Sequence, residues 1–315
     1  MKCLITDEVY EGIAEELKGI MDVTETNGKT LSHNELLEQI GEYDILIMRV
    51  VPQIDKEILD AAKNLKMIGV CAVGTNHIDM EYAKEKGIAV YNAVGLNANA
   101  VAELTLTMML NMSRETVTAV NDVKQNHNWN KRAFMGRELK GKSLGVLGFG
   151  RIGRRVAELA KVFGMEILAY DPFLKPEQFA AAGAKGMTIE ELLPLADFIS
   201  IHVPLTPETR HMFNKETISK MKDGAVLMNM SRGGIVSEKD MHEALKEGRI
   251  GGYATDVLEN EEERPGIIDD GSLHSSLFEC ENFLATPHMG AQTRDASISI
   301  GIFMIEKVKE FVAQL

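Results

Sequence analysis

Ser143-Leu144-Gly145-Val146-Leu147-Gly148-Phe149-Gly150-Arg151-Ile152-Gly153-Arg154-Arg155-Val156-Ala157 is the stretch whose reading decides the fold. The apolar run Leu144 to Leu147 reads as a buried parallel strand. Gly148 to Gly153 reads as a turn, and a helix follows to about Phe163. Strand, glycine turn and helix in that order are the setting in which G-x-G-x-x-G binds a dinucleotide. Gly148 permits the tight turn, Gly150 lets the backbone approach a pyrophosphate, and Gly153 lets helix and strand pack closely. Arg151 and Ile152 open the helix, whose N-terminus faces the anion. A second apolar run, Glu166 to Tyr170, ends at Asp171, 21 residues beyond Gly150. That is close to the spacing at which a carboxylate accepts hydrogen bonds from an adenosine ribose. Asp171 repels a 2′-phosphate and Pro172-Phe173-Leu174 brings no arginine behind it, so NAD rather than NADP is the expected cofactor.

At 315 residues the chain is long enough for two domains with full cores. Its 45% hydrophobic and 26% charged residues are those of a soluble globular protein. A net charge of −13 argues against nucleic acid or an acidic membrane surface as partner. It leaves room for a small anionic substrate, which a few local cations can hold. There is no apolar run of membrane-spanning length, and Met1 to Asp7 reads as a first strand rather than a signal peptide. Cys3, Cys71 and Cys280 are odd in number and far apart, which fits reduced thiols in the cytoplasm. No metal is expected.

Strand and helix patterns alternate through the first hundred residues. Strands are expected at Cys3 to Thr6, Asp44 to Met48, Met67 to Val70 and Ile88 to Tyr91, and Ser32-His33-Asn34-Glu35 forms a capping box before a helix. The connections at Arg49-Val50-Val51 and Val73-Gly74-Thr75-Asn76 leave the carboxyl ends of strands, where ligands sit in such sheets. One long helix is expected from Ala98 to about Lys124, apolar around much of its circumference. A second α/β domain follows, with strands at Ser143, Glu166, Phe198 to His202, Ala225 to Met228, Gly252 to Asp256 and Phe283 to Ala285. The end of the chain is too short for a third domain, so its closing helix is expected to return to the first. The expected architecture is α/β, two doubly wound parallel-sheet domains: residues 98–283, a Rossmann NAD-binding domain, inserted in a flavodoxin-like substrate domain of residues 1–97 and 284–315.

Three strand-end stretches carry one titratable or charged residue each where a nicotinamide should project: Arg232 in Asn229 to Gly234, Glu261 after Asp256, and His288 in Thr286 to Gly290. Singly, Arg232 reads equally as a surface cation, Glu261 as part of a solvated acidic run, and His288 as a loop histidine. Together they suit reduction of a 2-keto acid. An arginine fork binds a carboxylate at two points, a histidine gives a proton to the carbonyl oxygen, and a carboxylate keeps that histidine protonated.

Over nearly its whole length the chain resembles the D-isomer-specific 2-hydroxyacid dehydrogenases. Val73 to Asp79, Asn97 to Glu103, Trp129 through Gly153, His202-Val203-Pro204-Leu205-Thr206, Asn229 to Gly234 and Thr286 to Gly290 carry the resemblance. It implies Arg232 as the substrate-binding arginine, His288 as acid/base and Glu261 as its partner, with Glu263 as second choice. It implies Asp256 near the nicotinamide amide, and His202 and Pro204 on the adenine side. It places the Val73 and Gly74 amides and Asn97 near the substrate carboxylate. It also implies a cytoplasmic homodimer built around the helix from Ala98. Gly74-Thr75-Asn76 and Arg49 are similar to 3-phosphoglycerate dehydrogenases, although Val50 stands where those commonly carry serine. The stretch through Asp269-Asp270-Gly271 is similar to the D-lactate branch. The expected activity is therefore interconversion of a D-2-hydroxy acid (3-phosphoglycerate, or a small acid of the hydroxypyruvate, glyoxylate or lactate type) and its 2-keto acid. The alternative is an NAD-binding regulator similar to the corepressors that resemble this family.

Overall fold

In the computed structural model, which describes residues 1–7, 9–10, 12–259 and 274–314, the chain divides into two units, one of residues 1–97 with 291–314 and one of residues 98–259 with 274–290. The first contains β1 (Lys2–Ile5), β2 (Asp22–Glu25), β3 (Ile45–Met48), β4 (Met67–Val70) and β5 (Ala89–Asn92). They form a parallel sheet in the order β2-β1-β3-β4-β5, the flavodoxin-like order. The inner strands are continuous aliphatic runs because both faces are covered. Cys3, Ile5, Ile45 and Ile47 face the helices Ile13–Lys18 and Arg294–Val312. Leu4, Leu46 and Met48 face the opposite way, onto Leu36, Ile58, Leu59 and Ala83. The capping box forms: Ser32 Oγ accepts from Glu35 N, and Glu35 Oε2 accepts from Ser32 N. Edge strand β2 has no counterpart in the sequence reading. Its one aliphatic residue, Val23, makes no apolar run, and its side chains are only half-buried or exposed.

The second unit contains β6 (Ser143–Leu147), β7 (Glu166–Tyr170), β8 (Lys185–Gly186), β9 (Phe198–Ile201), β10 (Val226–Asn229), β11 (Gly252–Thr255) and β12 (Phe283–Ala285). All pair in parallel, in the order β12-β11-β10-β9-β6-β7-β8. The winding reverses between β6 and β9, so the ligand crevice of this doubly wound sheet opens at their carboxyl ends. β12 pairs with β11, so residues 284–290 run on from a strand of this sheet. The boundary expected at residue 284 therefore falls at 291.

The single long helix expected from Ala98 is two. Ala98–Arg114 ends where Glu115 adopts a left-handed backbone, φ 51°, and Thr116–Asn126 starts afresh. The first helix buries Val101, Ala102, Leu106, Met108 and Met109 in the core, whereas the second buries no residue. Among the described residues, no helix is long and apolar enough to cross a membrane.

Candidate active site

At the crevice the three glycines have three different surroundings. Gly148 has φ +86°, and a Cβ there would lie 2.7 Å from the His202 carbonyl oxygen. A Cβ on Gly153 would run into the carbonyl oxygen of Gly148, so helix Arg151–Val162 lies directly against the turn. A Cβ on Gly150 would meet nothing within 4 Å. Gly150 also caps the helix with no side chain to accept its first amides. Room beside Gly150, together with amides that no side chain caps, fits a pyrophosphate, whose oxygens accept from such a terminus. Ile152 packs partly into the core behind the turn, and Arg151 stands exposed at the first helical position.

Asp171 follows β7 and steadies the same turn. Its Oδ2 accepts from Phe149 N at 2.9 Å and its Oδ1 from Phe173 N at 3.0 Å. Each oxygen keeps a second acceptor site for a ribose hydroxyl. Across the crevice His202 follows β9. Its Nε2 meets Ser200 Oγ at 2.8 Å, while its Nδ1 is buried with no partner in the protein. A buried nitrogen without a partner beside the glycine turn fits a cofactor hydroxyl or amine. Pro204 lies exposed two residues on and accepts Thr209 Oγ1 through its carbonyl.

Burial holds the His202 imidazole pKa down at about 3, against 6.5 when solvated. Between those values the unfolded chain binds a proton that the folded chain refuses, so the stability from this group is complete above pH 6.5 and drains away toward pH 3. From pH 6.5 to 5, His202 alone is expected to remove about 2 kcal/mol. Urea unfolding at pH 7 and 5 measures this loss, and His202→Gln should flatten the difference; an equal slope in the variant removes His202 as its source.

The second cluster lies at the carboxyl ends of β10, β11 and β12. Register sets Asn229 beside Thr255 and Thr255 beside Ala285, so β10 and β12 are about 10 Å apart. Arg232 comes three residues after Asn229, Asp256 one after Thr255, and His288 three after Ala285. The buried Asn229 side chain folds the first loop: its Oδ1 accepts from Ser231 N and Oγ, and its Nδ2 donates to the Arg232 carbonyl at 2.8 Å. Arg232 donates one guanidinium N–H to Ser231 O. At Gly233 this loop lies so close to the Leu258 carbonyl that no side chain fits between. Asp256, 2% exposed, holds the third loop. Its Oδ1 accepts from Thr286 Oγ1 at 2.6 Å and Met289 N at 2.9 Å, and its Oδ2 from Gly290 N at 2.7 Å. His288 is exposed within that clasp and has a left-handed backbone, φ 50°. Asp256 is thus a clamp on the histidine loop, a role the sequence reading lacked. Asn229 and Thr286 were missed as well. Asn two residues before Ser231 is an Asx-turn signal, whereas nothing local marks Thr286. Glu261 and its competitor Glu263 lie outside the described residues.

In the first unit, Arg49 follows β3 and is half-buried. The Val73 carbonyl accepts Asn92 Nδ2 at 2.6 Å, and Gly74 lies half-buried in the same bend. Asn97 Oδ1 is buried with no partner in the protein, as a polar group awaiting a ligand would be.

A doubly wound parallel sheet with a glycine-cradled helix terminus at its switch point defines a dinucleotide-binding protein. The family model described as D-isomer specific 2-hydroxyacid dehydrogenase, NAD binding domain, matches residues 106–290. The chain belongs to that family, and the matched domain is its NAD-binding one. It is 40% identical to a D-3-phosphoglycerate dehydrogenase of Methanocaldococcus jannaschii over 98% of this chain and 57% of that protein. It is also 40% identical to a hydroxypyruvate reductase of Thermotoga maritima over 90% of each. The chain spans about half the length of the phosphoglycerate dehydrogenases it matches. A solved D-lactate dehydrogenase of Aquifex aeolicus, complexed with NAD and lactic acid, superposes with a TM-score of 0.85. It is 31% identical, over 99% of this chain and 96% of that one.

Proposed function

We propose that the chain is an NAD-dependent dehydrogenase that interconverts a D-2-hydroxy acid and its 2-keto acid. The observation that carries this reading is the cluster at the ends of β10 to β12, where Asp256 clasps the loop bearing His288 two strands from the loop bearing Arg232, on the sheet that also cradles the dinucleotide turn. Bound NADH supplies the hydride in one direction, and NAD⁺ accepts it in the other. Gly148, Gly150, Arg151, Ile152 and Gly153 receive the pyrophosphate, Asp171 the adenosine ribose, and His202 and Pro204 line the adenine side. The Arg232 guanidinium binds the substrate carboxylate at two points and fixes the carbonyl's orientation. His288 gives its proton to the carbonyl oxygen during reduction and takes it back during oxidation. Glu261, or Glu263, is the carboxylate that keeps His288 protonated near neutral pH. Arg49, the Val73 and Gly74 amides and Asn97 are the substrate contacts of the first unit, and 3-phosphoglycerate and the hydroxypyruvate, glyoxylate and lactate acids are the candidates.

NADH oxidation followed by absorbance against a panel of 2-keto acids tests this reading. Turnover of at least one is the expected result. Silence across the panel with NADH still bound is the outcome that favours a regulator.

The same reading makes the protein a cytoplasmic homodimer through the segment that starts at Ala98. Cys3, Cys71 and Cys280 are free thiols, which suits a reducing compartment. Helix Thr116–Asn126 exposes Val117 and Val120, and Trp129 stands 87% exposed just beyond it. A second copy covering this surface is expected to give a dimer mass in light scattering; a monomer at micromolar concentration overturns it.

A further inference from the structure

Past the end of their ladder, β10 and β11 hand over to two loops that carry different parts of the proposed chemistry. The first runs from Asn229 through Arg232 into helix Glu238–Lys246, and the second from Asp256 to Glu259. The ladder closes with Asp256 N donating to Asn229 O at 3.0 Å. Beyond that bond Gly233 lies against the Leu258 carbonyl, a contact that limits the gap but gives it no direction.

Direction comes from two carboxylates. Glu238 N donates to Glu259 Oε1 at 3.1 Å, and Glu259 N donates to Glu238 Oε1 at 2.7 Å. Each glutamate thus caps the other's main chain, and the loops cannot slide or swing apart without losing a bond. Glu238 N lies in the first turn of its helix, where no intrahelical carbonyl can accept it. The other oxygen of Glu238 accepts from Ser275 Oγ at 2.6 Å, just before the turn Ser276–Glu279 that leads to β12. Glu259 Oε1 also meets His211 Nε2 at 2.9 Å, and His211 N donates to Gly234 O. Segments that follow β9, β10 and β11 and the approach to β12 therefore meet on two side chains, all inside the second unit.

Arg232 lies between two fixed points. Asn229 Nδ2 holds its carbonyl on one side, and Glu238 holds the end of the same loop on the other. Asp256, on the loop that Glu259 ends, holds the loop of His288. The geometry of the glutamate pair is passed on to a guanidinium through one loop and to an imidazole through the other.

We propose that Glu238 and Glu259 are positioning residues, whose reciprocal hydrogen bonds set the loop of Arg232 against the loop of Asp256 and so fix where Arg232 presents a bound carboxylate. This rests on the dehydrogenase reading above. The pair acts through Arg232 and Asp256 and carries no step of the reaction. Its role asks for reach rather than charge. Glu238→Asp keeps the carboxylate but is shorter by one carbon–carbon bond, about 1.5 Å, and so releases Glu259 N. Glu238→Gln loses the charge but keeps Oε1 for Glu259 N, and its amide can donate to the Ser275 hydroxyl.

The purified full chain and its variants are assayed with NADH and the 2-keto acid that the wild type turns over best, with NADH affinity and unfolding temperature measured on each. Glu238→Asp is expected to lower kcat/KM roughly a hundredfold, the scale of a misplacement by about an ångström. A raised KM for the keto acid is the larger part, and NADH affinity is unchanged. Glu259→Asp, which breaks the pair from the other side, should do the same. Glu238→Gln is expected to return KM to within about threefold of the wild type, since both its hydrogen bonds survive. Loss of the fold, or a lowered unfolding temperature with kcat and KM unchanged, in both Asp variants makes the pair structural only and overturns the inference. Activity kept in Glu238→Asp and lost in Glu238→Gln overturns it too, by assigning the effect to charge. Each of these results leaves the dehydrogenase reading standing on the measured wild-type turnover, whereas a wild type silent with every keto acid removes both.

Discussion

His288→Ala is expected to lower kcat by roughly a hundredfold or more, the scale of lost general acid–base catalysis, with NADH affinity by fluorescence titration unchanged. The residue is exposed on a loop whose backbone is fixed independently of the imidazole, through Thr286 Oγ1, Met289 N and Gly290 N on Asp256. Truncation therefore removes the proton donor and leaves the cofactor crevice as it was. His288→Gln separates proton transfer from mere occupancy, since an amide fills the space and hydrogen-bonds but holds no titrating proton. Gln is expected to be as slow as Ala. Wild-type turnover in either variant removes His288 from the chemistry, and recovery in Gln alone makes its role one of shape.

Asp256→Ala should do damage of two kinds. It leaves Met289 N, Gly290 N and the Thr286 hydroxyl facing a hole where a buried carboxylate accepted all three. Stranded donors of this kind cost about 3 kcal/mol in sum, or a fall of roughly 6–12 °C in the unfolding temperature of a unit this size. Turnover should fall with stability, because His288 loses the clasp that aims it. Asp256→Asn refines the test. An amide presents one oxygen and one NH₂, yet Met289 N and Gly290 N donate to different carboxylate oxygens, so one of them would face another donor. Full stability in both variants would mean that the clasp does not hold the loop.

The cofactor end was the most legible part of the molecule. A glycine's meaning there is local: Gly148, Gly150 and Gly153 are separated by two and three residues, and the strand before and helix after them follow from runs of adjacent side chains. The inner strands were legible for the same reason, since burial on both faces makes them continuous aliphatic runs. Legibility failed where burial is partial or a single residue turns the chain. β2 carries one aliphatic residue at a sheet edge, and the break after Arg114 comes from one left-handed backbone, at Glu115, inside a pattern that otherwise continues. Residue 284 looked like a boundary because a short strand near the end of the chain carries no mark of the sheet it joins.

By itself, then, the sequence determined two parallel α/β sheets and a glycine turn between strand and helix with a carboxylate at the end of the next strand. All of these are written in neighbouring side chains or in short fixed spacings. Tertiary structure decided which strand ends are neighbours. Arg232, Asp256 and His288 are dozens of residues apart in the chain, and only the order β12-β11-β10 brings their loops side by side. It also decided that Asp256 points its carboxylate at the backbone of the histidine loop. Strand order depends on which helix covers which face of the sheet, a competition among distant contacts that no window of residues contains.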